Sequence, residues 1–170
     1  MPVMDKIRSR REFFEPLREF LEPASEPKHF GSRILLDLWR AREADGGFAV
    51  GTDVPSRPIA RIMHNLVLFE PVVESGRVTD LRVRVAGDSL FMRFGRDTTG
   101  MMLSQLFGPE EFESHLERSN QIIRNNAPML LRSELRRGSL VEHRLEIAVL
   151  PVWNAQHTER WVLAGVFYFN

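Results

Sequence analysis

Between Thr79 and Ala86 the apolar residues Leu81, Val83 and Val85 alternate with Arg82 and Arg84, the period of a strand with one dry face. Gly87 breaks the pattern, Asp88 caps a short helical turn carrying Leu90, Phe91 and Phe94, and Gly95 interrupts again. A polar turn, Arg96 to Gly100, leads to a second short helix through Met101, Leu103, Leu106 and Phe107. A strand followed by several one- or two-turn helices encloses space. Upstream, Ile34, Leu35, Leu38 and Trp39 share one face of a helix over Ser32–Asp45, with Arg33, Asp37, Arg40, Arg42 and Glu43 opposite and Gly46-Gly47 as its stop. Ile59 to His64 makes one or two helical turns, and Leu66 to Val73 a first strand, with Pro71 marking an edge or a bulge.

Downstream, Pro109 starts a helix to Asn125 with Phe112, Leu116, Ser119, Ile122 and Ile123 along one side. Three strands finish the chain, at Met129–Arg136, Leu140–Pro151 and Arg160–Phe169. In the second, Val141, His143, Leu145, Ile147 and Val149 share a face. The third is apolar on both faces and is expected to be central and covered on both sides. At the other end, Phe13, Phe14, Leu17, Phe20 and Leu21 recur at helical spacing, which predicts a helical arm that, with its linker, occupies residues 1–31. The expected class is α+β: a five-stranded antiparallel sheet with short helices and one longer helix over one face, in a domain spanning residues 32–170.

Composition narrows the function. A chain of 170 residues at 43% hydrophobic content buries a core without covalent staples. Lys+Arg and Asp+Glu are balanced at 23 each, which gives no reason to expect nucleic acid or an anionic membrane as partner. Cysteine is absent, removing disulfides, thiolate nucleophiles, thiolate zinc sites and cysteinyl-flavin photochemistry together. The N-terminus lacks an apolar signal core and no run approaches the ~20 residues of a membrane span, so a cytoplasmic location is expected.

With the elements placed, LLDLWRAREADG at Leu35–Gly46 and RVAGDSLFMRFGRDTTGMMLSQLF at Arg84–Phe107 resemble the PAS_5 family of PAS domains: a leucine-tryptophan helix, a long gap, an arginine-bearing strand, a glycine and an FGRD-x-TG segment. The resemblance implies a PAS fold over residues 33–169 and a bacterial sensory or protein-interaction module with no known reaction. It also implies an output through a signalling partner in trans, since no kinase, cyclase or helix-turn-helix segment follows. The competing function is a ligand-free adaptor with a filled core.

Gly87-Asp88-Ser89-Leu90 spells the nucleophile block of the GDSL esterases. The Asp-x-x-His pair that would activate the serine is missing, because Asn154-Ala155-Gln156 precedes His157. Hydrolase activity is therefore the third-ranked reading, and Asp88 as a cap is preferred. The histidines show no paired metal-ligand spacing, so no metal is expected. Haem is not expected either, since His115 sits near the start of its helix; no cofactor is required by the sequence. Arg93, Arg96 and Asp97 are read as a structural Arg-Asp arrangement fixing a turn rather than an anion site. A ligand cavity between sheet and helices is expected to be lined by His143, Leu145, Ile147, Phe91, Phe94, Leu106, Ile122 and Leu131. The second apolar face of the last strand needs a cover, and Phe13, Phe14, Leu17, Phe20 and Leu21 of the arm offer one, which predicts a homodimer.

Overall fold

The computed structural model describes residues 17–169, so Phe13 and Phe14 lie outside the described residues. Its strands are β1 (Leu17–Pro23), β2 (Leu66–Glu74), β3 (Arg77–Ala86), β4 (Met129–Arg137), β5 (Leu140–Trp153) and β6 (Arg160–Tyr168). They form one antiparallel sheet in the order β1-β4-β5-β6-β2-β3. Ser75 and Gly76, with φ of 51° and 77°, make the tight β2–β3 turn that successive left-handed residues give a twisted hairpin. Beyond Phe69, β2 leaves β6, so Pro71 stands where the strand has become an edge, between two register shifts.

The N-terminal segment departs from the helical expectation. Residues 17–23 are a strand paired with β4 from Leu17↔Arg137 to Pro23↔Leu131, which makes the sheet six-stranded rather than five-stranded. Leu17, Glu19 and Leu21 are half-buried, while Arg18, Phe20 and Glu22 are exposed. That is a period of two. Glu19 conceals it, since a carboxylate on the dry side makes the remaining apolar positions read as a helical stripe.

Helices lie on both faces of the sheet, not over one. The helices α2 (Asp88–Phe94), α3 (Leu103–Leu106) and α4 (Pro109–Asn125) cover the inner face, where Leu81, Leu131, Leu135, Leu145, Ile147, Val162 and Ala164 are buried. The outer face meets α1 (Phe30–Glu43) and a 3-10 helix (Arg57–Asn65), which bury Leu35, Leu36, Trp39, Ile59 and Ile62 against Leu66, Leu68, Leu130, Ala148, Leu150, Leu163 and Phe167. The final strand is central and two-sided, but the cover on its outer side comes from α1 of the same chain and not from an N-terminal helix.

The approach of α1 is close. A Cβ on Gly31 would lie 2.2 Å from the Phe167 ring, and one on Gly165 would lie 2.4 Å from a Leu35 methyl. The Trp39 indole donates to the Pro151 carbonyl at 2.8 Å. At the helix start, the carboxylate of Glu146, fully buried on β5, accepts from the backbone N–H of Lys28 at 3.0 and 3.1 Å and of His29 at 2.9 Å. Arg132 on the adjacent strand lies 3.3 Å away and supplies the countercharge. His29 caps the first turn by accepting from Gly31 N–H through Nδ1. A negative charge at a helix N-terminus meets both the N–H groups lacking intrahelical partners and the positive end of the helix dipole.

Replacing Glu146 with alanine leaves those N–H groups and Arg132 without their acceptor, so Glu146→Ala should cost about 3 kcal/mol. Urea denaturation measures it; a loss below about 1 kcal/mol would show that the carboxylate does not hold α1 on the sheet.

Candidate functional site

Between the inner face and α2–α4 lies a cavity of about 110 Å³. Its floor consists largely of short side chains, Val67, Val149, Val162, Ala164 and Val166, with Ile147 and Leu131 beside them. Leu90, Leu103 and Phe107 roof it, each brought inward by one of the breaks at Gly87, Gly95 and Gly108. Branched and small residues below and helix ends above do not interdigitate completely, and an apolar space remains. A side branch runs under α2 past Leu90 and Phe107 to Ser89, Leu135, Leu145 and Tyr168.

Polar groups collect at one edge, where β1 faces α4. Glu19 Oε2 stands 3.2 Å from His115 Nε2, and Arg118 Nη2 stands 3.1 Å from His115 Nδ1. A guanidinium only donates, so Nδ1 accepts, Nε2 carries the proton, and the neutral imidazole passes a hydrogen bond on to Glu19. Arg93 donates to the Leu17 carbonyl at 3.2 Å and stands 3.6 Å from Glu111, tying α2 to β1 and α4. Burial pushes the Arg118 guanidinium below its ordinary value, with Glu19 and Glu117 acting the other way. Burial likewise raises the Tyr168 hydroxyl. Glu19, Glu111 and His115 each offer one potential metal ligand within 4.8 Å of the others. Glu111 already faces Arg93, and Glu19 has Arg93 and Arg118 as nearby charges, so the arrangement works as an ion-pair cluster.

The residues expected around a cavity divide. Leu131 and Ile147 line it, and Leu145 lines the side branch. Ile122 is buried in α4 but is not among the lining residues, nor are Phe94, whose ring meets Phe107 edge-on at 5.4 Å, and half-buried Leu106. Phe91 points outward, 58% exposed, because the two turns of α2 present Leu90 to the interior instead. His143 lies on the same side of β5 as Leu145 but beside the exposed β4–β5 turn, where it meets Tyr168 edge-on at 5.5 Å. It is therefore neither an inward residue nor a core histidine. Glu19, His115 and Arg118 were the side chains that pattern reading did not assemble. The available signal was Glu111, His115 and Arg118 at i, i+4 and i+7 beside the apolar stripe of α4.

The FGRD-x-TG segment is structural. Gly95 ends α2 in the left-handed conformation at φ 69°, Asp97 accepts from Thr99 N–H at 3.0 Å and from its hydroxyl at 2.7 Å, and Thr98 is buried. Gly100 then donates to the Val83 carbonyl at 2.7 Å and stitches the loop to β3. Asp97 thus fixes the turn through Thr99 and not through an arginine.

This sheet, with its helical cover and the segment after β3, has the architecture of a PAS domain. The family model for the PAS domain PAS_5 matches residues 27–167, and the chain belongs to that family, whose members are sensory or signalling modules. Comparison of the chain with curated proteins and with solved structures found no match. Among the described residues no helix is long and apolar enough to cross a membrane.

Glu19 and Glu146 both titrate below the ordinary carboxylate value of 4.5. Burial acts upward on each; it is outweighed by His115, Arg93 and Arg118 at Glu19, and by the Lys28 and His29 N–H groups, nearby Ser32 and Arg132 at Glu146. Each depressed value stabilises the fold fully above the unfolded pKa, and that contribution is lost as pH falls through the folded one. Glu19→Gln should lower Tm at pH 7 and flatten the fall of Tm below about pH 4.5. Thermal melts across that range check this; an unchanged acid slope would mean that the Glu19 carboxylate and its bond to His115 carry no stability.

Proposed function

We propose that the chain is a sensory PAS module that takes a small, mostly apolar molecule into the cavity on the inner face and relays the change to a protein partner in trans, in the cytoplasm. The cavity carries this reading. At ~24 cal/mol per Å³, an unfilled apolar space of this size costs about 2–3 kcal/mol, which an occupant recovers; that favours a ligand over an adaptor with a filled core. The volume also bounds the ligand. Pockets that enclose drug-sized molecules run to roughly 300–1,000 Å³, so a fragment fits where haem or a flavin does not.

The esterase reading finds no geometric support. Ser89 is buried, and among the described residues no base hydrogen-bonds its hydroxyl.

Benzene is the first probe, with binding followed through the methyl resonances of Leu103, Ile147 and Val162. These should shift saturably, and Ala164→Val should raise stability by about 1 kcal/mol while weakening the probe. Methyls unmoved at saturating benzene would argue for a filled core.

A homodimer is the second reading, carried by Phe20 of the expected set together with Phe30 and Phe169. Phe20, Phe30 and Phe169 are 48%, 54% and 37% exposed. Phe20 lies under Arg136, and His29 stacks on Phe30 and meets Phe169 edge-on. Light scattering coupled to size exclusion should show a dimer that Phe20→Glu dissociates; a monomer at tens of micromolar ends the idea.

A further inference from the structure

We infer that the cavity's ligand is a short-chain monocarboxylic acid, whose hydrocarbon tail fills the apolar interior and whose carboxylate is bound by Arg118 at a doorway between β1 and α4. This rests on the cavity reading above and adds the chemical class of the occupant and its route of entry.

The doorway follows from which residues face two spaces. Glu19, Leu21, His115 and Arg118 line both the apolar cavity and a cleft of about 280 Å³ outside it, so these four side chains form the partition between the inner space and solvent, through which a ligand enters when they part. One wall of the passage is α4. The other is β1, an edge strand whose one neighbour in the sheet is β4, so this wall can shift, with its side-chain ties from Arg93 and His115, without breaking the centre of the sheet.

The chemistry of the head group follows from Arg118. Its guanidinium is half-buried at the cavity edge, and one of its amino groups donates to His115 Nδ1. Among the described residues no carboxylate comes within ion-pair distance of it, although a guanidinium carries five donors in a fork that matches a carboxylate. The site nevertheless accommodates such a group, for Glu19 is held beside it through His115, with Arg93 and Arg118 as nearby charges. Glu19 thus stands in for the ligand's head and competes with it. A second negative charge on the ligand would meet Glu19 and Glu111, which favours a monoanion. Tail length follows from volume: cavities of about 150 Å³ hold benzene, so one of about 110 Å³ has its upper limit near that six-carbon ring, and a chain of roughly three to five carbons fills it with the head group left at the doorway.

The test is a methyl and amide NMR titration of the whole chain at pH 7 with sodium pentanoate, pentan-1-ol, sodium acetate and benzene. Pentanoate should shift the Leu103 and Ile147 methyls and bind about tenfold tighter than pentan-1-ol or acetate. Arg118→Met should abolish that preference while benzene still binds, which also reports that the variant is folded. Arg118→Lys, keeping the charge without the fork, should retain part of the preference and serves if the methionine variant does not fold. Glu19→Gln should tighten pentanoate several-fold. Pentan-1-ol binding as tightly as pentanoate, or a preference unchanged in both Arg118 variants, overturns the carboxylate while leaving the cavity reading intact. Methyls unmoved by benzene and by pentanoate alike would overturn both.

Discussion

The buried carboxylate of Glu146 is the contact on which the arrangement of layers depends. A charge with no solvent exposure is tolerated only where its hydrogen-bonding capacity is met, and here two backbone N–H groups and Arg132 meet it. Because those N–H groups belong to the residues entering α1, the bond fixes where the helix begins, over β5 and β6. From that point Gly31 passes over the Phe167 ring and Leu35 lies over Gly165, two contacts that admit no Cβ. The outer side of the final strand is thereby covered within the chain, which removes the reason for expecting a second copy over it.

Once α1 has taken the outer face, the two sides of the sheet differ in kind. Outside, large side chains from α1 and the 3-10 helix interdigitate with Leu150, Leu163 and Phe167, all under 2% exposed. Inside, a floor rich in valine meets the ends of short helices and leaves a cavity. Close packing outside fixes the sheet as a platform, while the looser inner side can respond to an occupant. The family motif contributes to the looser side indirectly. Asp97 closes the turn on Thr99, and Gly100 and Met101 exchange backbone hydrogen bonds with Val83, which binds the loop back onto β3 between α2 and α3.

The polar edge is a titratable cluster that ties three elements together beside the cavity. Arg93 is committed to the Leu17 carbonyl and Glu111, so it holds three elements in place. Arg118 is bonded to an imidazole that relays its charge to Glu19. Separating a guanidinium from its carboxylate by one neutral ring leaves donor capacity at the edge of an apolar space.

The sequence by itself determined the elements whose chemistry is local. The helix Pro109–Asn125 begins at a proline and ends at a left-handed asparagine, β4 to β6 alternate or run apolar, and glycines at 87, 95 and 100 punctuate the family motif; these follow from dihedral limits and side-chain period. The tertiary structure alone decided the N-terminal strand, the double covering of the sheet and the cavity-lining set. Residues 17–21 read as a helix because Glu19 broke the apolar alternation, and His115, 96 positions away and brought alongside by folding with Arg93 and Arg118 nearby, makes a carboxylate acceptable there. Glu146, between Leu145 and Ile147, alternates away from the inner apolar face by period, and only the docking of α1 buries the side it occupies. His143 and Phe91 sat at the correct period yet outside the helical cover, since period assigns a side chain to a face but not to the part of that face that becomes covered. Burial of a charge and the reach of a neighbouring element are set by contacts distant in sequence, which no local pattern records.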